Sequence, residues 1–239
     1  MHIDDVMSAL RDAGTPQNLA TYARHGVKSP AFGVSTASKR ALARRIKKDQ
    51  PLAETLWATQ NHDARILATF VADPGQISGR VLAAWIDDID CGPLTDAVSA
   101  VAAGHPSALA LAAGWRASSR AWTSCVGWQV LALHVPQSEE TTLGPLVAVI
   151  EKRIAAAPAC TQEAMNAVLV AIGARGDRLC TLAIEGGRRI GAVSRSVEAQ
   201  ILKLLAKKAA PSVQRKPPKK RVKARPSVTA RALRATRGA

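Results

Sequence analysis

Apolar residues recur along this chain at helical spacing, and turn-forming residues interrupt them at short, regular intervals. Ile66, Leu67, Phe70 and Val71 form one stripe, and Leu94, Val98 and Val101 another. Leu143, Leu146, Val147, Ile150 and Ile154 make a third; Met165, Val168, Leu169 and Ile172 a fourth; Val197, Ile201, Leu204 and Leu205 a fifth. Each predicts an amphipathic helix with one buried face. No alternating strand pattern accompanies them. Gly14, Pro16, Pro51, Asp73, Pro74, Gly75, Gly92, Pro93, His105, Pro106, Pro136, Pro158 and Gly173 cut the chain into helices of about 10–18 residues. Short links between amphipathic helices predict antiparallel pairs, stacked as HEAT-like repeats into a curved, all-α solenoid. That expectation rests on spacing, because no strict sequence repeat is visible.

With 239 residues the chain can bury a sizeable core, and 47% hydrophobic content excludes wholesale disorder. Aromatic content of 3% argues against a β-sandwich. The formal charge is +15, which points toward a polyanion. The excess is concentrated at one end: residues 207–239 contain 12 Lys or Arg and no acid, leaving +3 on the remainder. Prolines 211, 217, 218 and 226 add interruptions there. The expected division is a helical repeat domain over 1–206 and a disordered, Lys/Arg/Pro-rich tail over 207–239.

Cys91, Cys125, Cys160 and Cys180 lie far apart, with no CxxC pair and no nearby His, so no metal site is expected and none needs a cofactor. The start of the chain is acidic and lacks the apolar run of a secretory signal. The uncharged stretch from Ala97 to Trp115 is broken at Gly104, His105 and Pro106, and reads as two packed helices, not a membrane span. These features fit a cytoplasmic protein, associated with the nucleoid if bacterial, and a monomer.

The segment HDARILATFVADPGQISGRVLAAWIDDIDCGPLTDA, from His62 to Ala97, resembles the AlkD-like DNA alkylation repair proteins. Ala64, Arg65, Leu67, Ala68, Asp73, Pro74, Trp85, Asp88, Ile89, Asp90, Leu94 and Asp96 carry the likeness. Upstream, Tyr22 and the run Phe32, Gly33, Val34, Ser35 fit as well; downstream, Asn166, Leu169, Ile172 and Gly173 do. The resemblance spans roughly residues 20–190. It implies a HEAT-like fold, double-stranded DNA as partner, alkylated DNA included, and DNA glycosylase activity on purines alkylated at N3 or N7. Alkylation there gives the base a positive charge, so a carboxylate that stabilises the developing oxocarbenium ion and positions water suffices in principle. Asp96 matches the family's Asp. It stands two positions, about 200°, round a helix from Leu94, and so off the core stripe. Asp90 is the alternative carboxylate, and a helix-capping role alongside Asp87 and Asp88 is its structural reading. The likeness also marks departures: Gly92 and Ala167 stand where the family commonly has Trp, and Cys125 where it has Arg. Those losses equally suit a non-catalytic binder of DNA structure, or a protein-binding scaffold on the same fold.

Among the five Trp residues, Trp57, Trp85, Trp115 and Trp128 read as core, and Trp122 as core or as a replacement aromatic wall near Cys125. Six cations fall in ten residues from Lys39 to Lys48. Continued as one helix, this segment places Arg40, Arg44, Lys47 and Lys48 within about 100° of each other, opposite Leu42 and Ile46. Ser35 or Thr36 would cap it. This ridge, together with Lys219, Lys220 and Arg221 in the tail, is the expected phosphate-contacting surface.

Overall fold

The computed structural model describes residues 1–209. It contains thirteen α-helices: α1 (Ile3–Asp12), α2 (Pro16–Arg24), α3 (Thr36–Ile46), α4 (Gln50–Ala58), α5 (His62–Val71), α6 (Gly79–Asp87), α7 (Gly92–Ala103), α8 (Ala108–Arg116), α9 (Ala121–His134), α10 (Glu140–Arg153), α11 (Ala159–Gly173), α12 (Asp177–Ile190) and α13 (Val197–Ala209). The described residues hold no strand, only an isolated bridge between Gly14 and Val34. None of their helices is long and apolar enough to cross a membrane, and no cluster of His, Cys, Asp and Glu among them suits a metal ion.

The breakers act through their chemistry. Thr15, Ser35, Asp49, Asn61 and Ser78 each accept a backbone N–H of the following helix, satisfying donors that the helix itself cannot. Pro16, Pro51 and Pro93 stand in first turns, where the missing N–H costs nothing. The stretch from Ala97 to Trp115 is divided between α7 and α8, as its Gly and Pro require. The last helix runs to Ala209, so the helical body extends three residues past the expected boundary at 206. Lys208 belongs to it: its Nζ donates to the carbonyl of Ala174 at 2.6 Å. The rest of the basic tail lies outside the described residues.

Helices α3, α5, α7, α9, α11 and α13 pack side by side in one layer, each against the next. Helices α4, α6, α8, α10 and α12 pack against that layer, giving the solenoid. The buried apolar residues form two clusters, one running from Val6 to Val130 and the other from Cys125 to Ile201. They meet on α9, which gives Val126 and Val130 to the first and Cys125, Trp128 and Leu131 to the second.

Candidate nucleic-acid interface

The basic segment 39–48 splits into three roles. Lys39 points inward and is 2% exposed; its Nζ donates to Asp63 at 2.9 Å and to the Tyr22 hydroxyl at 2.7 Å. Arg40 and Arg44 are exposed on α3, with the Arg40 guanidinium 5.8 Å from the centre of the Phe70 ring on α5. The helix ends at Ile46, and Lys47 takes a positive φ of 68°. Lys47 and Lys48 therefore leave the helical ridge on which uninterrupted spacing places them. The Lys48 ammonium turns to the C-terminus of α5, donating to the carbonyls of Phe70 (3.3 Å) and Ala72 (2.6 Å). Of the four ridge cations, Arg40 and Arg44 remain on the helix, and both are exposed. Ser35 is the cap, accepting from Ser38 N–H at 3.0 Å.

Asp63, which spacing does not single out, is the polar hub behind this surface. Its carboxylate accepts from the backbone N–H groups of Phe32 (2.8 Å), Gly33 (3.0 Å) and Val34 (3.2 Å), from the Tyr22 hydroxyl and from Lys39. Burial works to raise this carboxyl, but the bonds from Tyr22 and Lys39 and the Lys39 charge override it and hold its pKa below the usual range. Burial pulls the Lys39 ammonium down, against Asp63. Gly33 permits the arrangement: its φ is 80°, and a Cβ there would stand 2.4 Å from the Thr15 carbonyl oxygen. An acid in the first turn of a helix ordinarily serves only the helix dipole. What buries Asp63 is the loop 32–34, and no local signal announces it.

Of the two candidate carboxylates, Asp90 is held by structure. Its Oδ2 accepts from both the backbone N–H and the hydroxyl of Ser29, tying the loop after α2 to the entrance of α7. Its companions are likewise occupied: Asp88 accepts from Trp57 Nε1 and Arg65, and Asp87 pairs with Arg120. Asp96 is exposed on α7, off the stripe of Leu94, Val98 and Val101. Its Oδ1 accepts from Gln129 Nε2 on α9 at 2.8 Å, and its Oδ2 has no donor among the described residues.

The positions flanking Asp96 on α7 and α9 carry small side chains. Gly92 lies one turn earlier on the same face, where an added Cβ would meet nothing within 4 Å. On α9, Cys125 lies one turn before Gln129; it is buried and its thiol donates to the Cys160 carbonyl at 3.1 Å. Burial pushes that thiol's pKa up, reinforced by neighbouring Cys160 and by the charges of Asp96 and Glu163. Ala167 is exposed on α11. Trp122 shares a stripe of α9 with Cys125 and Gln129 by its i, i+3, i+7 spacing, but is half-buried against the first core cluster. Trp57 and Trp85 stack in that core with centroids 4.3 Å apart, and Trp128 is fully buried in the other. Lys219, Lys220 and Arg221 lie outside the described residues.

Comparison with known proteins agrees with this architecture. Lin0241, an uncharacterized protein of Listeria innocua, is 22% identical over 196 residues, covering 80% of this chain and 87% of its own. A solved structure described as "a new family of proteins related to the HEAT-like repeat DNA glycosylases with affinity for branched DNA structures" matches with a TM-score of 0.79 at 26% identity, covering 85% of this chain and 95% of that one. The family model for "DNA alkylation repair enzyme" matches residues 6–210. That match takes in nearly the whole helical body, and the chain belongs to the DNA alkylation repair enzyme family.

Proposed function

We propose that this protein binds DNA by shape and phosphate contact, favouring branched or distorted duplexes, and does not excise bases. The observation that carries this reading is the surroundings of Asp96. Its carboxylate is engaged by Gln129, and positions 92, 125 and 167 hold Gly, Cys and Ala. Base excision needs more than a carboxylate. The nucleotide must be held in register, and much of the rate comes from that positioning. Here neither an aromatic face nor a guanidinium stands at the positions where the family resemblance places them. The structural relative described by its affinity for branched DNA supports the same reading. Arg40 and Arg44 supply exposed cations at the amino-terminal end of the layer that runs from α3 to α13, while its middle carries Asp96 and Glu163. A duplex lying straight along the layer meets repulsion at its centre; a bent or branched one has other paths.

Binding of the full chain to a four-way junction and to a plain duplex of equal length, measured at several salt concentrations, tests the proposal. The junction is expected to bind more tightly, with both affinities falling steeply as salt rises. Equal affinity for the two substrates would remove the structure-selective reading. One feature favours a hydrolytic alternative: Asp96 is exposed, and its Oδ2 has no donor among the described residues. Incubation with duplex containing N7- or N3-methylpurine decides it. No free methylpurine is expected, and release that disappears in Asp96→Asn establishes excision instead.

A further inference from the structure

The loops that enter α9 and α11 border a cleft of about 460 Å³. Lys152 and Arg153, from the last turn of α10, line it together with the hydroxyls of Ser118, Ser119 and Thr161. No acidic residue does. Arg153 Nη2 donates to the Arg116 carbonyl at 3.3 Å, and burial together with the Arg153 charge draws the Arg116 guanidinium below its usual pKa. Arg116 Nε is buried with no acceptor. None of these three cations forms a salt bridge among the described residues, in contrast to Arg120, Arg188 and Arg189. Like charges gathered without a counter-charge repel, and a bound anion removes that cost.

The backbone adds donors. Neither α9 nor α11 has a side-chain cap, which leaves their first N–H groups without a side-chain acceptor, and Ala121 and Pro158 at the two entrances line the cleft. The helices have 14 and 15 residues, long enough for a full positive end. Their spacing is fixed, because the Thr161 hydroxyl donates to the Ala121 carbonyl at 3.2 Å across the two entrances. Two sets of amides plus two cations offer more donors than the two oxygens of a carboxylate use, and match a phosphate group.

We propose that this cleft is a phosphate-binding site, formed by Lys152, Arg153 and the open amide ends of α9 and α11. The phosphate belongs either to a DNA backbone, in which case the inference rests on the DNA-binding reading above, or to a small phosphate ester.

The test uses the full chain and its Lys152→Ala/Arg153→Ala variant, with melting temperature confirming that the variant folds. Inorganic phosphate is titrated at constant ionic strength while the amide resonances of Ala121, Trp122, Ala159 and Cys160 are followed. Saturable shifts at these amides, lost in the variant, are expected. In parallel, junction affinity is measured against salt. For a backbone phosphate the variant binds about tenfold more weakly, with the slope of log affinity against log salt shallower by about 1.8, the value for two lost phosphate contacts. Phosphate shifts with unchanged junction binding identify a small ester as ligand and leave the site standing. A wild-type chain that shows the shifts but binds no DNA refutes the DNA-binding reading alone. Absence of saturable shifts together with unaltered junction affinity overturns the proposal.

Discussion

Asp63 and His62 sit side by side at the start of α5, and both weaken the fold in acid, each over its own pH range. Asp63 is fully buried and surrounded by donors, so Asp63→Asn leaves the Lys39 ammonium buried without its counter-charge. Breaking such a pair costs about 3–5 kcal/mol, which denaturant titration at neutral pH measures. A loss below about 1 kcal/mol would show that the pair carries little stability. His62 is 1% exposed, and burial, helped by the Lys39 charge, lowers its pKa to about 4. The unfolded chain takes up that proton at a pKa of about 6.5. Between those values the unfolded state binds more protons, so stability falls as pH drops from about 6.5 to about 4, by roughly 3 kcal/mol in all. Asp63 contributes in a lower range: its depressed carboxyl stabilises the fold above an unfolded pKa of about 3.9, and that contribution is lost as pH falls further. Unfolding midpoints at pH 7.5 and 4.5 should therefore separate widely in the wild type and much less in His62→Gln. Equal declines in both proteins exclude His62 as the source. Neither residue's environment can be read from spacing, since both are covered by residues distant in sequence: loop 32–34 over Asp63, and Tyr22, whose ring lies 4.8 Å from that of His62.

At the scale of the helix, the sequence was informative wherever a helix has one wet face. Leu94, Val98 and Val101 are buried and Asp96 is not, as their spacing on α7 requires. The Gly and Pro positions likewise marked boundaries that local chemistry enforces. Two elements were less legible. For α3, uninterrupted helical spacing carried Lys47 and Lys48 onto the ridge, but the chain turns at Lys47, and Lys48 reaches the carbonyls at the end of α5. For α9, Ser124, Cys125, Val126, Gly127, Trp128, Val130 and Leu131 are all buried, so no clean stripe exists. This helix lies between both core clusters and against α8, and its burial comes from neighbours on several sides. Gly127 makes the closest approach: a Cβ there would lie 2.5 Å from the Arg116 backbone nitrogen. Backbone cannot step aside as a side-chain tip can. Gly127→Ala is expected to lower stability by about 1–3 kcal/mol despite the better helix propensity of Ala. An unchanged or raised melting temperature means that α8 and α9 separate freely.

Across the whole molecule, the charge is divided unequally, with most of the cationic excess lying after the helical body. Ten of the Lys and Arg residues follow Ala209 with no acid among them, leaving a formal +5 on residues 1–209. The helical body has its apolar clusters and caps within those 209 residues, and Lys208 anchors the last helix to the Ala174 carbonyl. A chain ending at Ala209 should thus keep the helical circular dichroism and melting temperature of the full protein. Its DNA binding should change in strength and in kind. If about six of the ten removed cations, Lys219, Lys220 and Arg221 among them, neutralise phosphates, the salt slope becomes shallower by about 5, and the affinity gap between the two chains closes as salt rises. Contacts from the tail are sequence-independent and should aid duplex and junction alike, whereas Arg40, Arg44 and the geometry of the helical layer remain in the shortened chain. The truncated protein should accordingly bind both substrates more weakly while discriminating between them more sharply. Parallel salt titrations of both chains on both substrates measure this. Selectivity that vanishes with the tail would place structure recognition in the tail and not in the helical layer.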